Sequence, residues 1–363
     1  MSASRTDLQR VRKASPKRTG ARVANVTIVD VAHAAGVSIK TVSRVLNREP
    51  NVSTATREQV MAAAAALHYT PNVSARSLAG SRSYLIALLY DNPNAAYIAD
   101  LQTGALSRCR AGGYHLIIEP FDTTAADAPD AIADMMSKLR TDGLILTPPL
   151  CDHPGVLELL DTTGAAYVRI APSNRVDHGS VVRIDDMAAA REMTRLLIAD
   201  GHRDIGFVKG HPDHGASHQR LAGFLAAMTE AGLTVRPDWI AEGLFSFLSG
   251  VAAGTRLLDR NDRPTAIFAC NDDTALGVMS EANRLGLVMP RDLSVAGFDD
   301  TPTARVVWPQ LTTVRQPVAD MAAMAADMII EGRTEDEAES QLMAFEIIVR
   351  GSTGPAPRAA LRD

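Results

Sequence analysis

The sequence predicts an all-α helix-turn-helix headpiece joined to an α/β body of two doubly wound, parallel-sheet subdomains. Three observations carry that prediction. The stretch TIVDVAHAAGVSIKTVSRVLN at 27–47 places small, turn-forming and apolar residues at helix-turn-helix spacing. From residue 84 onward, short apolar strands alternate with helical stretches, the mark of repeated βαβ units. The charge is also divided: residues 1–80 hold twelve Lys and Arg against four acids, while the rest of the chain holds 25 against 38.

Taken in order, residues 1–25 are rich in Arg, Lys, Ser, Ala and Thr without periodicity, and are expected to be a disordered basic arm. Counting from Ile28, the fifth residue is Ala32, the ninth Gly36 and the fifteenth Val42. Two helices meeting steeply need a small side chain at the contact, a residue tolerant of positive φ in the turn, and an apolar anchor on the second helix. Ser38 is positioned to cap that second helix. The helix leaves Ile39, Lys40, Ser43, Arg44 and Asn47 off its buried stripe, with Thr41 a further DNA-binding candidate, and an exposed helix carrying cations, a hydroxyl and an amide is equipped to read base edges in a DNA major groove. A basic front on an acidic body makes the front the part that meets a polyanion.

A third helix is expected over 55–68, with Val60, Ala64 and Leu67 inward, Ser53 or Thr54 as its cap and Pro71 as its stop. Residues 26–71 then form the headpiece and 72–82 a linker. The body, 83–352, begins with strand YLIALLY, helix 96–111, strand YHLIIEP, helix 126–140, strand GLILTPP, a helix near 154–162 and strand AYVRI. A second series follows: helix 187–200, strand DIGFVKG, helices 216–231 and 249–261, strand AIFACN, helix 273–286 and strand LSVAGFD. The first subdomain is expected at about 83–200 and 315–343, the second at about 201–314 and 344–352, with 353–363 a tail. Two such halves leave a cleft at the carboxyl ends of their strands. Strand-end residues there are Asp91, Asn94, Tyr97, Asp122 and Thr147 in the first half and His211, Asp213, Asn271, Asp272, Asp299 and Asp300 in the second, with Asn94, Tyr97, Asp122, Asn271 and Asp299 the candidate effector contacts. Paired acceptors and donors of this kind suit adjacent hydroxyls, although Asn271, Asp272 and Asp299 also have a plain alternative as helix caps.

Several function classes are disfavoured. The odd number of cysteines, Cys109, Cys151 and Cys270, lacks disulfide or metal spacing. His214 and His218 are four apart, but no HExxH accompanies them, and neither GxGxxG after a strand nor GxxxxGK[ST] occurs. No metal, no cofactor and no enzymatic activity are expected. No stretch approaches the roughly 18 apolar residues of a membrane span, and no signal-peptide run is present, so a cytoplasmic chain without membrane partners is expected.

TVSRVLN, TREQVMAAAAALHYTPNVSARSLAG at 56–80, GHRDIGFVKG, QRLAGF, CNDDTALG, DLSVAGFDD and LTTVRQ together resemble the lactose/galactose repressor family of bacterial transcription regulators, from residue 26 to about 352. The resemblance implies a periplasmic-binding-protein-like body, a homodimer and double-stranded operator DNA as partner. It implies base reading by the recognition helix, with phosphate contacts from Thr27, Ser38, Asn47 and Arg57. It also implies a hinge helix at 72–80, including Ala75, whose Leu78 wedges into the minor groove at the centre of a near-palindromic operator. A small effector, a sugar on the chemistry of the cleft, would be met by the residues above together with Arg220 and Phe245, which match effector-facing positions. The terminus GSTGPAPRAALRD is too short and proline-rich for a tetramerising coiled coil. A corepressor-dependent regulator and a sugar-binding module without DNA control are the alternatives.

Overall fold

The computed structural model describes residues 26–46, 51–69, 82–173, 178–334 and 339–357, and the chain divides into two units, Met1–Gly80 and Ser81–Asp363. In the first, α1 (Ile28–Ala34), α2 (Ile39–Leu46) and α3 (Thr54–Ala66) bury Val31, Ala32, Ala35, Val42, Val45, Val60 and Ala64 against one another. Gly36 adopts φ +59° in the turn, the left-handed conformation that lets two helices meet with so short a connection. Ser38 caps α2, its hydroxyl accepting from Thr41 N at 3.1 Å, and Ser53 rather than Thr54 caps α3 by accepting from Thr56 N at 3.2 Å. The third helix ends at Ala66, before the expected Pro71. His68 turns to φ 50°, and Tyr69 N reaches back to Ala64 O at 2.9 Å, which closes the last turn without a proline.

The second unit contains two six-stranded sheets. The first is built from β1 (Leu85–Tyr90), β2 (His115–Pro120), β3 (Gly143–Leu146), β4 (Tyr167–Ile170), β5 (Ser180–Arg183) and β11 (Ser340–Leu342). Its order is β11-β5-β4-β3-β1-β2, and all its pairings are parallel. The second is built from β6 (Ile205–Val208), β7 (Ile240–Ala241), β8 (Ala266–Ala269), β9 (Ser294–Asp299), β10 (Thr312–Arg315) and β12 (Glu346–Ile348). It runs β12-β10-β9-β8-β6-β7, with β12 alone antiparallel. The central strands β1, β3, β4, β6 and β8 are nearly continuous apolar runs, as required of strands covered on both faces.

The helices are α4 (Ala95–Gly112), α5 (Ala128–Leu139), α6 (Pro154–Thr163), α7 (Asp186–Ala199), α8 (Gly215–Glu230), α9 (Phe247–Leu258), α10 (Asp272–Arg284), α11 (Pro302–Val306) and α12 (Val318–Ile330). The sequence reading assigned no element to α12, which packs on α4 and on β3, β4 and β5 and so returns the chain to the first lobe. α7 packs on α8 and touches β10 and β12. The chain therefore leaves the first lobe after β5, nearer residue 185 than the expected 200, because the apolar face of α7 is buried against second-lobe elements.

Candidate functional site: a headpiece helix and an inter-lobe cleft

Each sheet reverses its winding beside its first strand, between β1 and β3 in one lobe and between β6 and β8 in the other. Crevices open at such switch points, beyond the carboxyl ends of the strands. The cleft lies there, enclosing about 420 Å³ of empty space with its mouth included. Asn92, Asn94 and Tyr97 follow β1, Pro148 follows β3 and Ala171 follows β4. From the other lobe come His214, Ala216 and Arg220 after β6, Phe245 after β7, Asn271 after β8, Asp299 at the end of β9 and Gln316 after β10.

Six of the seven expected effector residues are therefore brought together, and Asp122 is not. Asp122 is exposed, and its carboxylate accepts from Thr124 N at 2.9 Å and Thr124 Oγ1 at 2.6 Å. An Asp placed two residues before a backbone donor closes its own turn, so Asp122 shapes the loop after β2 instead of facing the cleft.

Arg220 is buried, and its Nε donates to Asp186 Oδ1 at 2.8 Å and its Nη1 to Cys270 O at 2.6 Å. Its guanidinium carbon stands 3.5 Å from the centroid of the Phe298 ring, a cation–π contact in a dry setting. Asp299 accepts from Gln316 Nε2 at 2.7 Å, with Arg220 Nη1 farther off at 3.8 Å. Asp299 holds φ 112°, a costly conformation for a side-chain-bearing residue and one that clusters at ligand sites. Burial raises its carboxyl above the usual range; Arg220 opposes that shift and Asp272 adds to it. It does not cap α11, whose preceding residue is Thr301.

Asn271 does act as a cap. Its Oδ1 accepts from Thr274 N at 3.0 Å and its Nδ2 donates to Phe245 O at 3.1 Å, so one end of its amide caps the helix and the other braces the Phe245 backbone. Asp272, outside the cleft, accepts from Thr301 N at 2.7 Å and Thr313 Oγ1 at 2.6 Å. Asn94 caps α4 by accepting from Tyr97 N at 3.0 Å, but its buried Nδ2 has no hydrogen-bond partner among the described residues. An unfilled amide donor in a cleft wall asks for an acceptor on a ligand.

His214, Gln316 and Asn92 escaped the sequence reading. His214 was paired there with His218, but His218 Nε2 bonds Pro212 O at 2.7 Å, while the His214 ring lies 5.3 Å from that of Phe245 and 5.2 Å from that of His211. Burial, with His211 close by, pushes its pKa down to about 4, so a neutral imidazole lines the cleft. No group of three or more His, Cys, Asp or Glu suited to a metal occurs among the described residues. The signal that marks His214 in sequence is its place at the start of the helix that carries Arg220.

In the headpiece, Ser38, Ile39, Lys40 and Arg44 are exposed, and Thr41 and Ser43 half-buried. The outward face of α2 thus presents cations and hydroxyls around an apolar residue. Thr27 precedes α1, with Asp30 accepting from its N and Oγ1 at 2.8 Å each, and Arg57 donates to Val45 O at 3.2 Å. Asn47, Ala75 and Leu78 lie outside the described residues. No helix among those described is long and apolar enough to cross a membrane.

An outward-facing second helix on a helix-turn-helix, carried by a chain whose body is a two-lobed receptor, defines a DNA-binding transcription regulator. Residues 27–72 match the model for bacterial regulatory proteins of the lacI family, and residues 194–353 that for a periplasmic binding protein-like domain. The chain is 34% identical to catabolite control protein A of Priestia megaterium over 320 residues, which is 88% of this chain and 96% of that one. It is 35% identical to the transcriptional repressor PurR of Proteus mirabilis, covering 91% and 98%. Among solved structures it resembles the lac repressor dimer bound to operator and the anti-inducer ONPF, with TM-score 0.75, 28% identity and 91% and 99% coverage. It also resembles a complex of the regulator CelR with cellobiose, with TM-score 0.69, 30% identity and 90% and 99% coverage. The protein belongs to the lacI family of bacterial transcription regulators.

Proposed function

We propose that the protein is a homodimeric repressor of carbohydrate-utilisation genes, released from a near-palindromic operator by a neutral, polyhydroxylated effector, a small sugar, bound between the lobes. One observation carries the effector class. Arg220 is the sole Lys or Arg among the described cleft-lining residues, and its charge is already matched by Asp186. An anionic effector would meet the Asp299 carboxyl with no spare cation, at a desolvation cost nothing offsets. Hydroxyl groups, in contrast, can accept from Asn94 Nδ2, donate to Asp299, and do either with the neutral His214, while Phe245 covers an apolar sugar face. The likeness to a regulator solved with cellobiose supports the same class.

On DNA, Ile39, Lys40, Thr41, Ser43 and Arg44 read bases. Thr27, Ser38, Asn47 and Arg57 hold phosphates, and Ala75 and Leu78 lie in the minor groove with Leu78 as the wedge. Leu244, Phe247, Leu248, Val306 and Trp308 are exposed on the second lobe, apolar side chains that a second copy would cover.

The test is a thermal-shift screen of neutral sugars, their phosphate esters and purine bases, with and without operator duplex from the upstream region. Stabilisation by a neutral sugar, lost in Asp299→Ala, together with weaker operator binding, is expected. Response only to a phosphate ester or purine would overturn the effector class, and a sugar that tightens operator binding would reverse the sign. Arg44→Ala should lose operator preference while keeping the sugar response.

A further inference from the structure

The two lobes meet through main chain at the rim of the cleft. Ser173 follows β4 in the first lobe, and its N–H donates to Asp152 Oδ2 at 2.7 Å. Asp152 is in turn paired with the fully buried Arg169 at 2.5 Å, so this peptide is anchored in its own lobe. Its carbonyl accepts from Gln219 Nε2, which lies on α8 of the second lobe. Gly215, the first residue of α8, sits directly against it. A Cβ added at Gly215 would stand 2.3 Å from both Ser173 Cα and Ser173 Cβ. Real Cβ atoms do not approach within 3.0 Å, and a main-chain atom cannot swing aside as a flexible side chain does.

Nothing within α8 calls for glycine there. Gly215 is not among the glycines with positive φ, so its own backbone conformation is one that alanine adopts as readily. The need for a bare Cα therefore arises across the cleft, from the other lobe. Its neighbours His214 and Ala216 line the cleft, as does Ala171 two residues before Ser173.

We infer that Gly215, Gln219 and Ser173 form an inter-lobe latch that holds the body in its closed arrangement, with Gly215 as the residue that permits closure. The latch is independent of what the effector is. A side chain at 215 acts as a wedge, and loss of the Gln219 amide removes a bond that spans the lobes. Either change shifts the balance toward an open body.

The experiment reads lobe separation directly, without effector or DNA, so its failure is distinct from failure of the proposed function. Spin labels at Ser137→Cys on α5 and Thr229→Cys on α8, both exposed, are introduced in the full chain, diluted with unlabelled protein, and combined with Gly215→Ala or Gln219→Ala. Gly215→Ala is expected to lengthen and broaden the distance distribution while leaving the melting temperature of the body at or above that of the parent. Gln219→Ala is expected to shift it the same way by less. A Gly215→Ala distribution matching the parent, or a lowered melting temperature with unchanged distances, would place the need for glycine inside the second lobe and overturn the latch.

Discussion

At the scale of single residues, the cleft is governed by how one buried cation is shared. Arg220 and Asp186 are both buried and bonded at 2.8 Å. Removing one member of such a pair leaves an uncompensated charge, at a cost of about 3–5 kcal/mol. Arg220→Ala should therefore lower body stability by that order in a urea titration, beyond any loss of effector response. Arg220→Met with Asp186→Leu should recover most of it; if the double variant is no more stable than the single one, the pair is not what matters. His214 makes a pH prediction. Its folded-state pKa of about 4 lies below the ordinary 6.5, so between those values the unfolded chain binds more protons than the folded one, and stability rises with pH. The contribution is complete above pH 6.5 and lost as pH falls toward 4, amounting to at most roughly 3 kcal/mol. Parallel unfolding curves should show His214→Gln with a shallower acid slope, against a background in which the raised carboxyls of Asp186 and Asp299 act in the opposite direction.

At the scale of elements, the headpiece depends on its turn. Gly36 takes φ +59° with nothing within 4 Å of the Cβ position, so a substituent there meets no steric clash and only the backbone conformation is penalised. A β-branched residue in that region costs about 1–2 kcal/mol, whereas asparagine tolerates it. Gly36→Val should thus lower the melting of the headpiece and weaken operator binding, and Gly36→Asn should sit near the parent in both. Equal damage from the two would mean that space, and not φ, is limiting. The same logic separates the two informative glycines: Gly36 is needed for its own backbone, Gly215 for a neighbour's.

At the scale of the whole molecule, the proposal joins two sites through one equilibrium, which makes it reciprocal. If the sugar weakens operator binding by some factor, operator must weaken sugar binding by the same factor. Calorimetric titration of sugar into the free protein and into its operator complex checks this. Equal sugar affinities in the two titrations would leave the cleft uncoupled from DNA, whatever else it binds.

The sequence by itself determined the headpiece and the repeating strands. Their signals are local: Ala32, Gly36 and Val42 at set spacing, and apolar runs such as YLIALLY that only a buried parallel strand can use. It also pointed to Arg220, Asn271 and Asp299 through the motifs that hold them. The turn that Asp122 closes with Thr124, two residues on, is local and was open to sequence reading. Only the tertiary structure decided that His214 faces the cleft while His218 does not, that α12 returns to the first lobe, and that glycine at 215 answers to Ser173. Each of these depends on which strand ends and helix starts are brought side by side by chain crossings between lobes, and no spacing along the chain encodes the distance between residues that the fold joins from different elements.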